Sequence, residues 1–166
     1  MKFISLGGQC EVGWALKLNN LRDTAMPFDF VRSHFSGVIE YIQNNFETFF
    51  PKNITIEKIG EYTAFRGKNI GFFHHDLNDP EIIEAFKRRF KRFNEMMLSG
   101  NKIIFIRSID SINISTEIEM IDKFHQAIKE KFPNLKYLLC LVILNQSSSK
   151  HVLTLNTSNN QTAIFT

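Results

Sequence analysis

Apolar residues follow two patterns along the chain, and each pattern predicts one type of element. Short runs of consecutive apolar residues, bounded by polar or turn-forming residues, predict buried strands at 2–6, 102–106 and 137–144. Apolar residues that recur every three or four positions predict amphipathic helices, with the apolar positions spanning 12–18, 38–46, 83–97 and 118–128. The chain therefore alternates between strands and helices over most of its length.

Residues 53–75 have a different pattern, in which apolar and polar positions alternate between turn-forming residues. Breaks at Gly60 and at Gly67 divide the segment into three short pieces, which predicts a small antiparallel meander. Asp79 followed by Pro80 then predicts the start of a helix, since Asp accepts a backbone N–H and Pro is favoured at the first helical position.

The order of elements predicts an α/β fold. Strand, helix and strand around Ile103 and Leu138 indicate a parallel pair joined by a right-handed crossover. With residues 3–6 in the same sheet, we expect a mixed, mainly parallel sheet flanked by helices, with the small antiparallel meander; a papain-like α+β fold is the alternative. The length of 166 residues favours a single domain over 1–166. Open α/β sheets bind ligands at the carboxyl ends of their strands, which would hold residues 7–10, 107–110 and Asn145.

Cys10 has the most informative position, because it follows a strand and a glycine pair and opens a predicted helix. Gly7 and Gly8 allow a tight or left-handed turn. The free N–H groups and the dipole of a helix start stabilise an anion, so we expect a lowered thiol pKa and a reactive thiolate. Backbone groups around Gly8 and Gln9 would contribute to an oxyanion hole. The alternative is that Cys10 is a small apolar residue at a strand–helix junction.

A thiol nucleophile needs a base, and His74 and His75 have the most suitable setting. Adjacent residues on a strand point to opposite sides, so one of the two should face the cleft. We expect His75 to be the base, because three nearby acids are available to orient its imidazole: Asp76, Asp79 and Asp29. The alternative is a polar turn without a catalytic role. The remaining histidines have no comparable setting: His34, His125 and His151.

Composition and charge narrow the class of protein. A net charge of +3 is too small to indicate a nucleic-acid partner. Two distant cysteines fit a reducing compartment, and no stretch has the pattern of a signal peptide or a membrane span, so we expect a cytoplasmic protein of a cell or of a virus in its host. Zinc-binding spacings and phosphate-binding glycine motifs are missing, so neither a metal nor a cofactor is expected.

The strongest run of charge lies at residues 87–93, within the helix predicted after Pro80. Its basic residues fall on the face opposite the phenylalanine stripe, which predicts a solvated surface. A phosphate-bearing partner is the alternative.

Several short motifs occur in an order that resembles an uncharacterised family of papain-like cysteine peptidases. The family's S-L-G-x-x-C, L-R and P-F-D-W steps correspond to residues 5–10, 21–22 and 27–30, with Phe30 in place of Trp. An aromatic residue before H-D, an R-R-x-x-R-F helix and a strand that ends F-I-R correspond to residues 73–76, 88–93 and 105–107. The resemblance covers residues 4–144, which is most of the chain.

The resemblance implies that Cys10 is the nucleophile and that His75, next to Asp76, is the base. Our leading hypothesis is a cysteine-dependent hydrolase that acts on a peptide or a small acyl substrate, in which Asp76 or Asp29 orients the imidazole and Arg107 anchors an acidic substrate group. The rival hypothesis is a non-catalytic module that binds an anionic ligand or a protein partner through arginines: Arg22, Arg32, Arg88, Arg89 and Arg107.

Overall fold

The computed structural model describes residues 1–110, 114–144, 152–153 and 161–165. Asn145 and His151, named above, lie outside the described residues. Within these ranges, no helix combines the length and the apolar character that a membrane crossing requires.

The elements alternate along the chain much as the apolar pattern predicts. The helices are α1 (Glu11–Leu18), α2 (Phe35–Gln43), α3 (Pro80–Leu98), α4 (Ile114–Glu119) and α5 (Ile121–Lys131). The strands are β1 (Lys2–Ser5), β2 (Val31–Ser33), β3 (Thr55–Ile59), β4 (Tyr62–Arg66), β5 (Ile70–Phe72), β6 (Ile103–Ile109), β7 (Tyr137–Ile143), β8 (Val152–Leu153) and β9 (Thr162–Phe165). α3 begins as expected, because the Asp79 side chain accepts a hydrogen bond from the N–H of Glu81 at 2.8 Å.

The larger sheet has the strand order β1–β6–β7–β9–β8. β1, β6, β7 and β9 run parallel to one another, whereas the edge strand β8 pairs antiparallel with β9. β6 is buried at nearly every position, which explains why it reads in the sequence as a continuous apolar run. The predicted mixed α/β fold with a mainly parallel sheet is confirmed.

The smaller sheet is antiparallel, with the order β2–β5–β4–β3. β3, β4 and β5 form the predicted meander. β2 is not predicted, because its three residues are too few to show a period; Val31 pairs with Phe72 of β5. β3 lies at the edge of this sheet, and all five of its residues are exposed.

Two helices differ from the prediction. α2 begins at Phe35, three residues before the first apolar position of the predicted pattern, and follows His34, whose backbone is extended. The last predicted helix is divided at Met120 into α4 and α5. α2 and α5 begin without a side-chain hydrogen bond at the N-cap, so no capping residue marks these starts in the sequence.

A hydrophobic cluster joins the two sheets and their helices. Phe49 lies near its centre, with ring centroids 4.8 to 6.0 Å from those of Phe46, Phe72, Phe86 and Phe90. Tilted and edge-to-face contacts of this kind stabilise a core beyond the area they bury. These rings pack α3 against the end of the meander and so position the residues that follow β5.

Candidate active site

The turn between β1 and α1 contains two glycines with left-handed backbone. φ is 71° at Gly7 and 90° at Gly8. A Cβ on Gly8 would lie 1.9 Å from the carbonyl oxygen of Ser108, so only glycine permits this approach to β6. The turn places Cys10 as the N-cap of α1, directly beyond the carboxyl end of β1, rather than inside the first turn of the helix.

Two N–H groups of this turn already have partners. Gly8 N–H donates to Ser33 Oγ at 3.3 Å, and Gln9 N–H donates to Ser108 Oγ at 2.9 Å. These two N–H groups therefore do not form the expected oxyanion hole, because both already donate to serine side chains of the protein. The Cys10 side chain makes no capping hydrogen bond, which leaves N–H groups at the start of α1 available to an anion.

Cys10 is half-buried and lines a cavity of about 270 Å³. One part of the wall is apolar, and the other carries charged and polar groups: Ile59, Tyr62 and Phe73 in the first part, and Gln9, Glu11, Arg32 and His74 in the second. Ile59 and Tyr62 come from the tip of the β3–β4 hairpin. The cavity thus brings a thiol, an imidazole and a guanidinium to one place.

The pKa of the Cys10 thiol is raised, not lowered as the helix-start argument predicts. Burial is the largest cause, because it disfavours the thiolate. The Arg32 guanidinium opposes burial and lowers this pKa, whereas the Glu11 carboxylate raises it further. The resting form of Cys10 at neutral pH is therefore the thiol.

His74 and His75 follow β5 instead of belonging to it, and they have different surroundings. His74 is exposed and lines the Cys10 cavity. His75 faces α3, where its Nε2 lies 3.4 Å from Nη1 of Arg89 and its ring packs edge-on against Phe86. The expectation that His75 is the base does not fit this geometry, since His74 is the histidine that shares a cavity with the thiol.

The environment of His75 keeps its imidazole neutral. Burial, with smaller effects of the positive charges of Arg89 and His74, lowers its pKa from 6.5 to about 4. Because arginine can only donate, Nε2 is the acceptor and Nδ1 carries the hydrogen. Nδ1 is buried without a hydrogen-bond partner among the described residues.

Within the described residues, no hydrogen bond or ion pair joins either of the two proposed orienting acids to a histidine. Asp29 is 1% exposed, and its Oδ2 accepts hydrogen bonds from Nη1 of Arg22 at 3.0 Å and from the N–H of Met26 at 2.9 Å. Asp76 is exposed and accepts the N–H of Asn78 at 2.9 Å, which closes the turn before α3. The expected Cys-His-Asp arrangement is therefore not assembled here.

Several motif residues converge instead on an interior charged cluster, which consists of Arg22, Asp29, His75 and Arg89. Burial raises the pKa of Asp29 and lowers that of Arg89, while the attraction between these two groups opposes both shifts. Arg89 thus departs from the solvated surface expected for residues 87–93. The cluster links the loop before β2, the end of the meander and α3.

Arg107 is not available to anchor a substrate, which corrects that prediction. Its side chain is 1% exposed. Nε and Nη2 donate to the Glu117 carboxylate at 2.5 and 2.8 Å, Nη1 donates to Leu6 O and Ser33 Oγ, and Nη2 also donates to Ser33 O. All five N–H groups are thus used inside the protein.

A second cavity, of about 220 Å³, shares the wall residues Gln9, Arg32 and Phe73 with the first. It extends between the ends of β1 and β6 and the β4–β5 turn, where Arg66 also lines it. The guanidinium carbons of Arg32 and Arg66 lie 4.6 and 4.8 Å from the Phe73 ring centroid. The two cavities thus meet at an aromatic ring that carries two cations.

Ser33, Ser108 and Phe73 have structural roles at the site that no sequence pattern reveals. The serines fix the glycine turn by accepting its N–H groups, and no local pattern reveals a contact between residues so distant in sequence. In the sequence, Phe73 is only the aromatic residue that precedes the H-D step of the family pattern. Sequence alone names Arg32 only among the arginines of a possible anion-binding module.

The chain is similar to known proteins in sequence. An uncharacterized protein of Acanthamoeba polyphaga mimivirus is 28% identical over 172 residues, which cover 84% of this chain and 76% of the viral protein. No solved structure gives a significant match. A family model with the description "Putative papain-like cysteine peptidase" matches residues 1–147. On this match, the chain belongs to that family.

Proposed function

We propose that the protein is a cysteine-dependent hydrolase for peptide or small acyl substrates, with Cys10 as the nucleophile and His74 as the base. The observation that carries the proposal is that a half-buried cysteine and a histidine line one cavity, beyond the carboxyl end of a parallel strand. The description of the family supports the same class of reaction.

The proposed reaction starts from the neutral thiol, because burial raises the Cys10 pKa. As Sγ attacks the substrate carbonyl carbon, the thiol proton passes to a ring nitrogen of His74 and the carbonyl oxygen becomes an oxyanion. The leaving amine or alcohol takes the proton from His74 as its bond to carbon breaks, and a thioester remains on Cys10. Water then hydrolyses the thioester, again with His74 as the base.

The oxyanion would be held by the start of α1. The first N–H groups of the helix have no side-chain cap, and they lie next to the nucleophile. Backbone donors aimed at a developing negative charge are the usual means of stabilising such an intermediate. The Gln9 side-chain amide, which lines both cavities, is a further donor for this position.

The thiol and the imidazole approach each other only when substrate binds. The structure records no hydrogen bond between Cys10 Sγ and His74, both of which are described residues. Catalytic hydrogen bonds are often long or absent in a free enzyme and tighten in the substrate complex. The exposed position of His74 leaves its ring free to turn towards the cavity.

p-Nitrophenyl acetate tests this proposal, because its acetyl group is transferred to reactive thiols without a need for the natural substrate. With Cys140→Ala as the parent, we expect steady release of acetate and an acetyl group on Cys10 by mass spectrometry. Cys10→Ser abolishes both, and His74→Ala lowers turnover about a hundredfold. His75→Gln is the matched control and retains turnover. Equal turnover of His74→Ala and its parent would contradict the assignment of the base.

A second candidate function is a non-catalytic module that binds an anionic ligand. The observation in its favour is the pair of cations, Arg32 and Arg66, on the Phe73 ring. Three of the arginines first considered for this role are engaged in the interior: Arg22, Arg89 and Arg107. A binding module predicts no turnover that depends on His74.

A further inference from the structure

The junction of the two cavities holds two guanidinium groups against one aromatic ring. Both Arg32 and Arg66 lie within cation–π distance of Phe73. A ring contact restricts a guanidinium through its face and leaves the N–H groups at its edge free to donate. The pair is therefore partly organised before any ligand binds.

The hydrogen bonds of these two side chains are incomplete. Nε of Arg66 donates to Oε2 of Glu57 at 2.6 Å, and no bond within the described residues uses its Nη groups. No hydrogen bond or ion pair to another described residue engages the side chain of Arg32. Arginine edges in this state match the two oxygens of a carboxylate.

Because Glu57 pairs with Arg66, Arg32 is the cation at the junction that has no ion pair with another described residue. In the second cavity, Arg107 and Glu117 neutralise each other in the ion pair described above. Asp110 lines that cavity but not the one that contains Cys10, and Glu11 lines the Cys10 cavity but not the second. Arg32 is the charged residue that lines both, so an anion at the junction lies beside the thiol.

We propose that Arg32 and Arg66 form an anion subsite and that the substrate carries a carboxylate close to the carbonyl attacked by Cys10, as an acidic peptide does. This inference rests on the proposed function, since it names the substrate class of the same site. The proximity of Arg32 to the thiol supports it, because the Arg32 charge acts directly on Cys10. The anchor expected at Arg107 is thus assigned to two other arginines that remain accessible.

Two alkylating reagents of similar size test the subsite. Iodoacetate carries a carboxylate and iodoacetamide is neutral, while both form a bond from Sγ to carbon and release iodide. We measure both rate constants at Cys10 in the Cys140→Ala parent and take their ratio, which removes the thiolate fraction common to both reactions. We expect Arg32→Gln to lower the iodoacetate-to-iodoacetamide ratio about fivefold and Arg66→Gln to lower it about twofold.

Matched variants give the controls. Arg88→Gln removes the same charge from an exposed site on α3 and should leave the ratio unchanged. Arg32→Lys keeps the charge but not the planar edge, so it should restore part of the ratio. Glutarate should slow the iodoacetate reaction more than inorganic phosphate does at equal ionic strength; stronger protection by phosphate would overturn the carboxylate assignment.

The two proposals fail in different ways. If the iodoacetate-to-iodoacetamide ratio is the same in the parent, Arg32→Gln and Arg66→Gln, the anion subsite is overturned. This holds even if turnover of p-nitrophenyl acetate still depends on His74. A lower ratio in Arg32→Gln together with turnover that ignores His74 supports the anion subsite as a binding site and contradicts the hydrolase.

Discussion

Gly8 and Ser108 lie so close together, across the ends of β1 and β6, that no side chain fits at Gly8. The contact is reinforced by the neighbouring backbone, where the N–H of Ser108 donates to the carbonyl oxygen of Gly7 at 3.2 Å. Cys10 follows this turn at once, so its position depends on a contact between residues a hundred positions apart in the chain.

We expect Gly8→Ala to destabilise the fold by about 3 kcal/mol or more, because the added Cβ meets the Ser108 carbonyl and the backbone is left-handed. Gly60→Ala is the matched control, because Gly60 also has a left-handed backbone, with φ of 61°, but no atom lies within 4 Å of the new Cβ. The control should cost about 1 kcal/mol from backbone strain alone. Urea unfolding measures both, and equal losses would show that the contact has no cost of its own.

Replacing Arg107 by Met should lower the free energy of unfolding by about 3–5 kcal/mol, because it leaves the buried Glu117 carboxylate without its partner. The double variant Arg107→Met, Glu117→Leu should lose less than the sum of the single variants. Lys87→Met breaks an exposed ion pair with Glu84 and should cost less than about 1 kcal/mol. Additive single effects in chemical denaturation would contradict a coupled buried pair.

Stability should fall as the pH is lowered from about 6.5 to about 4. His75 has a folded pKa of about 4, so the unfolded chain binds the proton first as the pH drops, and unfolding becomes more favourable. His75 alone accounts for a loss of about 3 kcal/mol over this window, and the raised pKa of Asp29 acts in the opposite direction. The pKa of His125, which is also lowered by burial, adds to the loss from His75 with the same sign.

The variant His75→Gln isolates this contribution. Its unfolding free energy should change less between pH 6.5 and 4 than that of the natural chain, while the slope due to His125 remains. An NMR titration of the His75 ring supplies an independent measurement. Identical pH slopes for the two chains would rule out His75 as the source.

Alkylation of Cys10 by iodoacetamide should follow an apparent pKa above the ~8.5 of a free thiol, in a Cys140→Ala background. Two variants should move this pKa in opposite directions. Arg32→Gln raises it, because a nearby positive charge is lost, and Glu11→Gln lowers it, because a negative charge is lost. If neither variant shifts the pH profile of Cys10 alkylation, the charges of Arg32 and Glu11 do not act on the thiol.

Sequence pattern alone predicts those elements that depend only on residues close together in the chain. The buried run that became β6 and the Asp79–Pro80 start of α3 needed no knowledge of tertiary contacts. β2 has too few residues to show a period. The start of α2 has no local signal either, because His34 precedes it without a side-chain cap.

The sequence predicts only part of the candidate site, because the rest depends on how distant elements pack together. The sequence placed Cys10 after a glycine turn and indicated that His74 and His75 face opposite sides, but alternation does not say which side holds the cavity. Which histidine faces the cavity depends on α3, because Phe86 and Arg89 of this helix contact the ring of His75. Arg107 was misassigned because its partner, Glu117, lies on a helix whose packing no motif reveals.

The guanidinium of Arg107 is bound at once by the β1–α1 turn, by β2 and by α4, through Leu6, Ser33 and Glu117. None of these segments can detach without removing hydrogen-bond acceptors from a guanidinium that is 1% exposed to solvent. Partial opening of the antiparallel sheet or of α4 therefore breaks hydrogen bonds to Arg107, as opening of the parallel sheet does. The two sheets should exchange their protected amide hydrogens with solvent as a single cooperative unit, and the floor of the cavities should stay rigid while its rim moves.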